Sequence, residues 1–118
     1  MESATQPYTV VPVMVGNLSP EKERQYGELF AHFLQHEGTF FVISSDFCHW
    51  GTRFRYTHYN PAHGEIFQSI ENLDKEGMAC IEAQSPEAFL KYQQEFCNTI
   101  CGRHPIAVLL NILQVSPP

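Results

Sequence analysis

At 118 residues the chain is the size of one domain, and 43% hydrophobic against 17% charged residues supplies enough apolar material for a core. A formal charge of −6 argues against a nucleic-acid-binding role, which needs clustered Lys and Arg to meet phosphates. No run approaches the ~18 apolar residues of a membrane span, and residues 1–10 lack the basic start and apolar centre of a secretion signal. The four cysteines (Cys48, Cys80, Cys97, Cys101) contain no C-x-x-C pair, so reduced thiols in a cytoplasmic protein, with the nucleus as a second compartment, are expected.

In chain order, Tyr8–Val15 reads as a strand, with Pro12 placing it at an edge because proline lacks a ladder donor. Ser19-Pro20-Glu21 carries the signature of a helix start: N-cap serine, proline at N1, an acid in the first turn. Tyr26, Leu29, Phe30, Phe33 and Leu34 then recur at helical spacing, which predicts a helix over about 20–35 with those residues as its buried stripe. His32 and His36 near its end read as solvated. Thr39–Ser44, short and rich in aromatic and β-branched residues, predicts a second strand. Together these make a β-α-β unit with a parallel crossover.

Residues 46–63 form a long loop rich in Arg and aromatics, a kind of segment that is usually functional. Phe54, Tyr56 and Tyr59 either line a pocket or cover a core there, and His58 and His63 are expected to be exposed. A helix over 64–75 with Ile66, Ile70 and Leu73 on one face is expected to break at Glu76-Gly77. Ser85-Pro86-Glu87 starts another helix, about 86–98, with Phe89, Tyr92 and Phe96 at core spacing and Cys97 packed beside them. Pro105 suits the first turn of a last helix, 105–113, buried through Ile106, Leu109, Leu110 and Leu113. The expected fold class is α/β, a partial and mostly parallel sheet with flanking helices.

Chemistry-bearing residues gather in two places. Ser45-Asp46-Phe47-Cys48-His49-Trp50-Gly51-Thr52-Arg53 follows the second predicted strand, and open α/β sheets place ligands beyond the carboxyl ends of their strands. Asp46 and His49, three apart, can converge in a turn, although such pairs also simply close loops. Cys48 either joins them or packs as a small hydrophobe. Cys101 precedes a helix N-terminus and stands two residues from Arg103, and both features favour a thiolate. The alternative is a thiol buried under a turn.

The residue identities go further than spacing. Ser44 to Gly51 with Arg53-Phe54-Arg55-Tyr56, then Gly64-Glu65-Ile66 through Leu73-Asp74-Lys75, and Asn98-Thr99-Ile100-Cys101-Gly102-Arg103-His104-Pro105-Ile106 into Asn111, resemble the Memo family (mediator of cell motility). The resemblance implies a fold like that of class III extradiol dioxygenases and a role in motility signalling. It also implies a redox metal pocket holding copper or iron, formed by the residue matching Cys101 with two histidines of the family's first half and lined by those matching Asp46 and His49, so that Cys101, His49 and Asp46 are the metal residues this chain can supply. Thiolate plus imidazole favours Cu(I), and a carboxylate with histidines favours Fe(II). Cys48, Trp50, Arg53, Arg55, Tyr56, Arg103 and His104 are the implied ligand-pocket residues. A phosphotyrosine peptide from a receptor tyrosine kinase is the implied partner.

Two family histidines, in His-Ala-Gly and Ser-His-His segments, have no counterpart among His32, His36, His49, His58, His63 and His104. The expectation is therefore a partial Memo-like domain over 1–111 and a divergent tail over 112–118. Its Met1-Glu2-Ser3 start resembles an internal family stretch. Such a truncated isoform would have an incomplete site, weak metal binding, no ring-cleaving activity and a tendency to self-associate through exposed sheet edges. The alternatives are a phosphotyrosine-peptide module and a truncated product without independent function.

Overall fold

The computed structural model describes residues 7–115 and is helical. Four helices follow one another: α1 (Pro20–Leu34), α2 (Ile66–Glu82), α3 (Pro86–Phe96) and α4 (Arg103–Val115), with short 3-10 turns at Thr52–Phe54 and Pro61–His63. Local chemistry sets their starts. Ser19 Oγ accepts from Lys22 N at 3.2 Å, and Ser85 Oγ accepts from Ala88 N at 3.0 Å. Gln68 Oε1 reaches back to accept Glu65 N at 2.7 Å ahead of α2.

The predicted α/β fold with its parallel sheet is not formed. Among the described residues the single strand-like pairing is an antiparallel bridge between Gly51 and Tyr56. Residues 8–15 and 39–44 carry no ladder. A strand pattern makes a sheet only beside another strand, and neither segment has one here. Val11 (81% exposed), Phe40 (86%) and Val42 (80%) face solvent. The second segment still keeps a period of two: Phe41 and Ile43 turn inward onto the helices while Phe40 and Val42 turn out.

The core is built around α4. Ile106, Ala107, Val108, Leu110 and Ile112 are all buried, so this helix is covered on nearly every side, and the expected one-sided stripe ending in Leu109 and Leu113 is too narrow. One part of the core joins Leu73, Phe89, Tyr92, Ile100, Ile106 and Leu110, and a second joins Ala31, Val108 and Ile112. Ile112 to Val115, predicted as divergent tail, continue α4. Residues 1–6 and 116–118, with the Met1-Glu2-Ser3 resemblance, lie outside the described residues.

Helix α1 packs on α4 through a face only partly expected: Phe30 and Leu34 of the predicted stripe pack against the core beside Ala31. Glu23, Gly27 and Ala31 are its buried residues, whereas Tyr26, Leu29 and Phe33 of the predicted stripe are 42–56% exposed. Gly27 explains the choice: a side chain there would stand 3.0 Å from the main-chain carbon of Asn111, so only a bare Cα lets the helices approach. The predicted break in α2 at Gly77 does not occur; Gly77 is buried mid-helix under the Tyr92 ring. Cys97, expected in the core, is exposed and ends α3 in the left-handed conformation, φ 49°. His58 is half-buried beside the rings of Tyr56 and Phe96, while His63 is exposed as expected.

Candidate metal centre

Two loops build the site. One runs from Ser45 to Trp50, and the other is the short link Cys97–Gly102 between α3 and α4. In the second, alternate residues divide. Asn98 and Ile100 go into the core, 2% and 0% exposed, while Thr99 and Cys101 turn to the first loop.

Asn98 is held on the inner side: its Nδ2 donates to Asp74 Oδ1 and to the Tyr92 hydroxyl, both at 2.9 Å. Tyr92 in turn donates to Leu73 O at 2.7 Å, and burial drives its phenol well above the usual range. The same Asp74 carboxylate accepts Cys48 N at 3.4 Å, so α2 fixes both loops at once.

On the facing side, Gly102 N donates to Ser45 Oγ at 2.8 Å, and Asp46 N donates to Cys101 Sγ at 3.1 Å. Gly102 has no room for more: an added Cβ would overlap the Ser45 side chain, 2.6 Å from its Oγ, and stand 2.9 Å from Ser44 O. Thr99 Oγ1 accepts His49 N at 2.6 Å and donates to His49 O at 2.8 Å.

These locks bring Asp46, His49 and Cys101 together. One ligand atom from each lies within 4.8 Å of the others, across a sequence gap of 55 residues between Asp46 and Cys101. Metal bonds of about 2.0–2.3 Å require donors somewhat closer than this. Asp46 and Cys101 are exposed, which leaves their side chains room to turn toward a shared ion. A thiolate, an imidazole and a carboxylate suit a transition metal and leave coordination positions open. The donor types suit the copper or iron that the Memo resemblance implies, in a partial site that lacks the two family histidines.

The other predicted pocket residues separate. Arg53 and Arg55 are exposed, with the Arg53 guanidinium 5.5 Å from the Phe54 ring centre; Phe54 also meets the His49 ring at 5.2 Å. Cys48 is half-buried against the core, and burial raises its thiol above the usual range. Trp50 Nε1 donates to His58 O at 2.8 Å, and Tyr56 donates to Phe96 O at 2.8 Å. Tyr56 is pushed up to about 12, mainly by burial. These three side chains shape the loop.

Arg103 turns back to Ile100 O at 3.2 Å. His104 meets Glu23 Oε2 at 2.8 Å and Asn17 Oδ1 at 3.1 Å, tying α1 to α4. Burial raises the Glu23 carboxyl, and the hydrogen bond and charge of His104 with the charge of Arg103 offset part of that rise. Arg103 and His104 also line a groove of about 1080 Å³ with Thr99 and residues of α1 and α3, to which Asp46, His49 and Cys101 do not contribute.

Sequence reasoning missed Asp74, Asn98, Thr99, Ser45 and Glu23 as parts of this arrangement. An extended reading of 98–102 would have placed Thr99 and Cys101 on one face. Nothing in the spacing pairs Asp74 with Cys48, or Glu23 with His104.

The comparisons with known proteins bear on the family. The family model described as Memo-like protein matches residues 1–116. Protein MEMO1 of Xenopus tropicalis is 58% identical over 111 residues, 94% of this chain and 37% of the relative. Protein MEMO1 of Homo sapiens is 53% identical over 113 residues, 96% of this chain and 38% of the relative. Protein memo-1 homolog of Caenorhabditis elegans is 48% identical over 104 residues, 87% of this chain and 30% of the relative. The chain thus spans a little over a third of the length of the vertebrate relatives it matches. With a match across nearly its whole length, the chain belongs to the Memo-like protein family.

Proposed function

We propose that the chain acts as a metal-binding Memo-like protein in cell-motility signalling, within the cytoplasm or nucleus, with Cys101, His49 and Asp46 taking a redox-active ion, Cu(I) or Fe(II). One observation carries the reading: three donors of different chemistry, drawn from two loops, converge within 4.8 Å. Cys101 and His49 match the softness of Cu(I), and Asp46 adds the hard donor that Fe(II) prefers. The ion would supply one-electron chemistry, while the protein holds its ligands through Ser45, Thr99 and Asp46 N. With three donors and two of them exposed, affinity is expected to be weak, because tight sites need a full ligand set and an oriented surround.

The test is a competitive Cu(I) titration of the native chain against Cys101→Ser and His49→Ala. Weak binding that both substitutions abolish supports the reading. Sub-nanomolar binding that survives Cys101→Ser overturns it.

A second reading rests on Arg53, Arg55 and Phe54, an exposed cationic and aromatic patch beside His49. Such a patch suits a phosphotyrosine, since Arg pairs with phosphate bidentately and stacks on rings. A phosphotyrosine peptide should then bind better than its unphosphorylated form, and Arg53→Ala with Arg55→Ala should remove the preference. Equal binding of the two peptides ends this reading.

A further inference from the structure

We propose that Thr99 is a positioning residue for the candidate metal centre: its hydroxyl holds the His49 ligand within reach of Cys101. The inference rests on the metal reading above and names the residue that orients one of its ligands.

The geometry is specific. Thr99 Oγ1 takes both main-chain polar groups of His49, accepting its N–H at 2.6 Å and donating to its C=O at 2.8 Å. A neighbouring strand would ordinarily satisfy such a pair, and here one side chain does so. A hydroxyl has one proton and two lone pairs, so it can serve both groups together, and only Ser and Thr offer that at this length. Thr adds a branched Cβ, which restricts χ1 and keeps the hydroxyl aimed.

The clamp itself cannot drift. Asn98 before it is bound to Asp74 and Tyr92, and Ile100 after it is fully buried. Cys101 follows two residues later on the same face. One short segment therefore carries both a ligand and the group that sets the position of a second ligand. Cutting the clamp frees His49 without touching Cys101.

Cobalt(II) alone is a suitable probe, because thiolate ligation gives a charge-transfer band and ligand-field bands report the remaining donors. Thr99→Val, nearly equal in size, is expected to weaken cobalt affinity about 10–100-fold, the usual effect of losing a residue that orients a metal ligand. At saturation the thiolate band should persist while the ligand-field bands shift. Thr99→Ser should restore affinity and spectrum. Native affinity and an unchanged ligand-field spectrum in Thr99→Val, with cobalt binding lost in Cys101→Ser, would overturn the clamp and leave the metal reading standing. A native spectrum in Cys101→Ser would overturn both. Should Thr99→Val lose its helical circular dichroism, Thr99→Ala and Thr99→Ser decide the matter. If both bind equally weakly with helices intact, the hydroxyl is not what positions His49.

Discussion

Replacing Gly102 by alanine probes the contact that joins the two site loops. The added Cβ would lie 2.6 Å from Ser45 Oγ and 2.9 Å from Ser44 O, and would overlap the Ser45 side chain. The neighbours are main chain and a short side chain, so the loops must part. Overpacking of this kind costs about 1–3 kcal/mol. Parting also strains the Gly102 N–Ser45 Oγ hydrogen bond, worth a further ~0.5–1.5 kcal/mol. The loss of unfolded-state freedom from Gly to Ala returns ~0.4–1 kcal/mol. The net destabilisation is about 0.5–4 kcal/mol. Urea denaturation followed by circular dichroism measures it: with a slope of about 1–3 kcal/mol/M, the midpoint should fall by roughly 1 M. Cys101 is the adjacent residue, so cobalt affinity should fall in the same variant. An unchanged or raised midpoint with native cobalt binding would show that the loops yield without cost and that this contact does not hold the site together.

Asn98→Leu leaves Asp74 Oδ1 and the Tyr92 hydroxyl without their shared donor; an unmatched buried polar group costs about 1–3 kcal/mol, and a native urea midpoint would argue against the network. Glu23 has a carboxyl raised by burial in the folded state, so its contribution to stability is fully present below its ordinary value of 4.5 and is lost as pH climbs through the raised value. The stability of the native chain relative to Glu23→Gln should therefore decline as pH rises above about 4.5 in paired urea titrations, and a flat or rising difference would contradict the assignment. The exposed side chains of Val11, Val13, Phe40 and Val42 favour self-association, so sedimentation velocity should show oligomers that Phe40→Lys with Val42→Lys reduces. A monodisperse monomer with a sharp cooperative melt would count against this.

Helix starts were legible because caps are local: Ser19-Pro20 and Ser85-Pro86 begin α1 and α3 as read. The convergence of Asp46, His49 and Cys101 was legible through residue identity, since spacing could not join positions 55 apart. The sheet failed for a physical reason. Val10, Val11, Phe40 and Val42 carry strand propensity, but pairing depends on a neighbour that the pattern cannot supply. The face of α1 was read only in part, through Phe30 and Leu34, for a related reason. Periodicity finds the apolar stripe, whereas the packed face was chosen by Gly27 and Ala31, small enough to admit α4. Thr99 and Asp74 stayed hidden because single polar residues acquire roles only when the chain folds back.

The central place of α4 has a consequence for how the molecule is made. Helix α1 rests on α4, yet everything from Gln35 to Gly102 is synthesised between them. At about 5–20 residues per second, α1 waits on the order of several seconds on the ribosome before its partner exists. Asp46 and His49 likewise leave the exit tunnel well ahead of Cys101. The three side chains of the candidate site meet only once the Cys97–Gly102 link has folded back onto the Ser45–Trp50 loop.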